Sequence, residues 1–100
     1  MKIQLDMLES DIIRAIKNTE YSPLQLLAAR HFKDLPANID AGYDSIVIWN
    51  DEINDYHSYK YCPEYIESIK LFLDEWHDFV DDNISDFCSN AFSFCIELKR

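Results

Sequence analysis

Glycine occurs once in this chain of 100 residues, at Gly42, and proline three times. Tight hairpins draw on glycine for backbone conformations other residues resist, so this scarcity argues against a sandwich or barrel of many short strands. Cysteine is sparse as well. Cys62, Cys88 and Cys95 are odd in number and lack C-x-x-C spacing, which speaks against a disulfide framework and for a reducing, cytoplasmic setting. No apolar run exceeds four residues, far below the roughly 20 needed to span a bilayer. The opening stretch MKIQLDMLESD has acids from position 6 and no apolar run of signal-peptide length.

Positive charge is the largest deficit. Nine Lys and Arg stand against 19 Asp and Glu, a formal net charge of -10, and the second half of the chain holds most of the excess. Such a surface repels nucleic acid and anionic lipid and speeds encounters with basic proteins. Direct binding to DNA, RNA or membrane is therefore not expected.

What is present is enough apolar material for one core. Hydrophobic residues make up 48% and aromatics 14%, well above an acidic disordered tail, and the length suits a single domain over residues 1–100. Met1, Ile3, Leu5 and Met7 alternate with polar residues, as do Phe92, Phe94, Ile96 and Leu98; both stretches read as half-buried strands placed to pair. Leu8, Ile12, Ala15 and Ile16 recur at helical spacing over residues 9–18. Ser22-Pro23-Leu24-Gln25 carries an N-cap serine, a proline at the first helical position and a glutamine that closes a capping box, starting a helix to residue 32 with His31 beside Leu24, Leu27 and Ala28.

Residues 33–44 read as a loop, 45–49 (SIVIW) as an internal strand, and 53–61 as an edge strand. Pro63 opens the longest helix, to about residue 83, with Ile66, Ile69, Leu73, Trp76 and Val80 as its buried stripe. The expected fold is α+β: a small, mostly antiparallel sheet of three to four strands, N- and C-terminal strands paired, with about three helices packed on one face.

No catalytic constellation emerges, and the chain is read as a non-enzyme. His57 and Cys62 are five apart and Cys88 and Cys95 seven apart, outside the close ligand spacings of structural zinc; His77 lacks the second histidine of H-E-x-x-H. Neither a calcium loop nor a G-x-S-x-G elbow occurs, and one glycine makes no phosphate cradle. No cofactor or metal is expected, and the cysteines read as small buried hydrophobes.

One stretch stands apart. LFLDEWHDFVDDNISDF, residues 71–87, contains no Lys or Arg. A face needing only solubility gains by mixing signs, because like charges one helical turn apart repel by roughly 0.2–0.5 kcal/mol per pair. Glu67, Asp74, Asp78 and Asp81 fall on one ridge of the helix, and Glu75 and Asp82 on its neighbour. Carboxylates about 5–6 Å apart along a helix resemble the spacing of phosphates along a strand. Tyr56, Tyr59 and Tyr61 offer apolar anchors for the same partner, while Trp49 and Trp76 are assigned to the core.

In size and charge the chain resembles the small acidic proteins with which phages oppose bacterial defence nucleases, the anti-CRISPR and antirestriction proteins. Immunity proteins that neutralise nuclease toxins share that profile; no motif carries either resemblance. The expectation is an inhibitor occupying the basic, nucleic-acid-binding surface of another protein, such as a nuclease or nucleic-acid-guided complex. The rival is an adaptor that dimerises through the edge strand at 53–61, its acidity serving solubility.

Overall fold

The computed structural model describes residues 2–50, 55–81 and 92–98. Chain order gives β1 (Lys2–Met7), α1 (Glu9–Lys17), α2 (Pro23–Phe32), β2 (Ile39–Ala41), β3 (Ser45–Asn50), β4 (Asp55–Tyr61), α3 (Ile66–Asp81) and β5 (Phe92–Leu98). All strand pairs are antiparallel, in the order β1-β5-β4-β3-β2. The α+β class and the pairing of β1 with β5 are as the alternation predicts.

Residues directly opposite in a ladder share a face, and the register therefore assigns the core. Ile3, Leu5 and Met7 stand against Ile96, Phe94 and Phe92; Tyr61 against Ile96; Ile46 against Tyr59; Ile39 against Ile48. Onto this face α1 brings Ile12, α2 brings Leu24, Leu27 and Ala28, and α3 brings Ile69, Phe72 and Leu73. A second cluster, Trp76 with Ala15 and Leu26, locks α3 to the other two helices. All three helices thus cover one side of the sheet.

Among the described residues the sheet has five strands, where three to four were expected. The extra one, β2, lies inside the stretch read as loop. A single-turn 3-10 helix, Pro36–Asn38, delivers Ile39 to β2, where it is buried at 3% exposure opposite Ile48. Gln25, whose carbonyl oxygen accepts from the Ser22 N–H at 2.9 Å, donates through Nε2 to the Ile39 carbonyl at 2.9 Å, so the cap of α2 also anchors β2. Three residues are too few to show a period of two.

Residues 55–61 also depart from expectation. They form β4, which lies between β3 and β5: residues 55–60 pair with β3, and Tyr59, Lys60 and Tyr61 also pair with β5, so the strand is internal in the sheet order and not an edge. The edges are β1 and β2.

The open face of the sheet carries Trp49, 47% exposed, against Tyr56 at 54%, their rings 5.3 Å apart. Trp49 is thus outside the core: it follows Ile48, and a period of two sends consecutive side chains to opposite faces. Trp76 is buried at 3%, as expected. In the helices, His31, Leu8, Ile16 and Val80 are exposed, and the last turn of α3 instead turns Phe79 onto Trp76, ring centroids 5.5 Å apart.

Tyr61 joins the halves of this core. Its ring meets Phe94 and its hydroxyl donates to the Gly42 carbonyl at 2.8 Å. Burial, reinforced by Asp40 and Asp44, raises its phenol well above the usual tyrosine range. A raised folded-state value means that the neutral phenol is favoured on folding, so this stability is intact below about pH 10 and is lost as pH climbs further. Urea unfolding at increasing alkalinity should show stability falling above about pH 10, with a shallower fall in Tyr61→Phe. At neutral pH that variant should lose roughly 1 kcal/mol with the hydroxyl's hydrogen bond.

Candidate functional site: the outer face of α3

The buried stripe of α3 determines where its charges point. With Ile69, Phe72, Leu73 and Trp76 turned to the core, Glu67, Asp74, Glu75, Asp78 and Asp81 are all exposed. Asp82 lies outside the described residues. Lys70 is the single base on the helix, and among the described residues none of these carboxylates forms an ion pair; the one salt bridge is Arg30 with Asp11. Asp78 and Asp81 lie in the last turn, which holds no base. Asp74, Asp78 and Asp81 stand one turn apart, and like charges at that spacing repel by roughly 0.2–0.5 kcal/mol per pair. The placement is therefore unfavourable for the helix by itself.

One carboxylate is engaged. Tyr43, from the turn between β2 and β3, donates its hydroxyl to Asp74 Oδ1 at 2.9 Å and lies 2.9 Å from His77 Nδ1. With the phenol proton given to Asp74, the imidazole contact requires a proton on Nδ1, donated to the phenolic oxygen. The hydrogen bond to Asp74 is the main reason the Tyr43 phenol is raised above its usual value, with burial and the charges of Asp74 and Asp78 adding to it. The trio ties the turn to the middle of α3. Residues 43 and 74 are too far apart in sequence for any local pattern to pair them.

The three tyrosines expected as anchors, Tyr56, Tyr59 and Tyr61, do not join this surface. Tyr61 is 1% exposed and held in the core by its hydrogen bond to Gly42, which excludes it as an anchor. Tyr59 is half-buried against Phe32, ring centroids 5.1 Å apart. Tyr56 is exposed on the open face of the sheet, opposite the side that α3 covers.

An unanticipated apolar surface does border the acids. Leu71 is 62% exposed, off the buried stripe, and lines a groove between α3 and β5 with Phe72, Phe92 and Glu75. An apolar residue off the stripe of an amphipathic helix is the sequence signal for it.

Cys62 is buried, and burial raises its thiol above the usual range; Cys95 is half-buried, and Cys88 lies outside the described residues. Among the described residues no group of three His, Cys, Asp or Glu is placed to hold a metal, and no helix is long and apolar enough to cross a membrane. Compared with known families, curated proteins and solved structures, the chain matches none.

Proposed function

We propose that the chain is a non-catalytic, cytoplasmic inhibitor that binds the basic, nucleic-acid-binding surface of another protein, of the anti-CRISPR or antirestriction kind. The observation that supports this most is the outer face of α3: five exposed carboxylates, none in an ion pair among the described residues, on a helix fixed by two buried clusters. Charge of one sign on a rigid element attracts a basic surface over a distance and meets it without rearrangement. An acidity that served only solubility would not require like charges one helical turn apart, where they repel. The adaptor reading is the less favoured of the two, since the strand it relied on lies inside the sheet order, with Tyr59, Lys60 and Tyr61 paired to β5.

The test is salt-gradient elution of lysate proteins from the immobilised chain, beside the variant Glu67→Gln/Asp78→Asn/Asp81→Asn. This variant leaves the Asp74 contact to Tyr43 in place. Nucleic-acid-binding proteins should elute as salt rises, and added duplex DNA should displace them. For any one of them, the variant should associate about tenfold more slowly at low salt, with a flatter salt dependence. Equal rates for variant and parent would sink the proposal.

A further inference from the structure

A steering surface needs an apolar anchor, because rim charges govern association more than residence. Tyr56, Tyr59 and Tyr61 do not supply one here. The groove beside α3 does: about 390 Å³, within the range of about 300–1,000 Å³ common for clefts that seat a ligand group. Ser68, Leu71 and Glu75 line it at steps of three and four along the helix, so the groove follows the axis of α3. Exposed Leu71 and half-buried Phe92 form its accessible apolar wall, with Phe72, its ring 5.2 Å from that of Phe92, and Phe94 buried behind them.

Charge decides the occupant. Glu75 stands at the groove itself and Asp78 follows one turn on, both exposed and neither in an ion pair among the described residues. A neutral apolar helix would leave these carboxylates without partners at the rim, and an acidic one would be repelled.

We propose that the groove between α3 and β5 seats the apolar stripe of a basic amphipathic helix of the partner protein, whose Arg and Lys pair with Glu75 and Asp78. This rests on reading the acidic face as a protein-binding surface, and it names the partner's docking element. Leucine or phenylalanine at i, i+3, i+4 and i+7 would lie along Leu71 and Phe92, as in other helix-in-groove complexes.

The probe is a synthetic Arg-rich helical peptide with one leucine stripe, against an isomer whose leucines are scattered round the helix. Calorimetric titration should show binding of the first and at least tenfold weaker binding of the second. Leu71→Ser, which removes the apolar contact at an exposed position, and Ser68→Trp, which fills the groove, should each weaken the first peptide about tenfold. Amide shifts should gather at Ser68, Leu71, Glu75 and Ser93.

If the striped peptide does not bind, or binds no better than its isomer, the groove proposal is overturned. It is overturned as well if both groove variants bind like the parent, or if the shifts gather at Trp49 and Tyr56. In those cases the charge reading stands or falls separately, on the salt dependence of the carboxylate variant. Loss of binding in the groove variants with no effect of Glu75→Gln/Asp78→Asn would overturn the assignment of a basic helix as the occupant.

Discussion

Phe94→Ala is expected to destabilise the protein by about 3–5 kcal/mol, the range for deleting a buried aromatic ring and leaving a cavity. Phe94 has no exposed surface, stands opposite Leu5 in the β1–β5 ladder and contacts the rings of Tyr61 and Phe92. Three strands therefore lose packing at once. In a domain of this size each kcal/mol shifts the melting temperature by about 4–8 °C, so a fall of at least about 12 °C should be visible in a thermal scan. Total stabilities of about 5–15 kcal/mol leave little reserve after such a loss. A change under about 1 kcal/mol in urea would mean that β5 does not sit where the register places it.

Arg30→Ala should cost about 2–4 kcal/mol, by a different mechanism. The Asp11 side chain is 1% exposed, and its carboxylate is held by the Arg30 guanidinium at 2.9 and 3.3 Å and by the Leu8 N–H at 3.1 Å. Arg30 also donates to the Asp6 carbonyl, so one side chain fastens α2 to the start of α1 and to β1. Truncating it leaves a buried carboxylate with one backbone donor, and the desolvation already incurred is no longer offset. Replacing both partners together, Asp11→Leu with Arg30→Met, should recover most of the loss, because no charge then remains to be desolvated. A double replacement as unstable as Arg30→Ala would show that the cost does not come from the uncompensated Asp11 charge and would point to the hydrogen bond to the Asp6 carbonyl, which both variants lack.

The long periodic elements were legible because their burial obeys one period. Alternation at both ends of the chain predicted β1, β5 and their pairing, and Ser22 with Pro23 and Gln25 marked the start of α2. The misses have separate physical causes. β2 is shorter than any period can reveal, and β4 became internal only through pairing with β5, more than thirty residues downstream. Trp49 is expected in the core, but the pleat sends it to the open face.

For the candidate site, the exposure of Glu67, Asp74, Glu75, Asp78 and Asp81 followed from the helical stripe. The Tyr43 contact and the groove were not legible, since each joins α3 to a distant segment. Tyr61 shows the limit of composition as a guide: tyrosine suits both an interface and a core, and the pairing opposite Ile96 places it in the core.

β5 comes last among the strands in chain order, yet lies between β1 and β4. On the ribosome, β1 has no strand to pair with in its native position until residues 92–98 have emerged, while β2, β3 and β4 can already form a meander. The sheet is closed by its final strand in a single late step, across the longest sequence separation in the fold. Until then the facing edges of β1 and β4 stay unpaired and able to capture foreign strands. A nascent chain stalled before residue 92 should accordingly be protease-sensitive around β1 and protected, if anywhere, around β3.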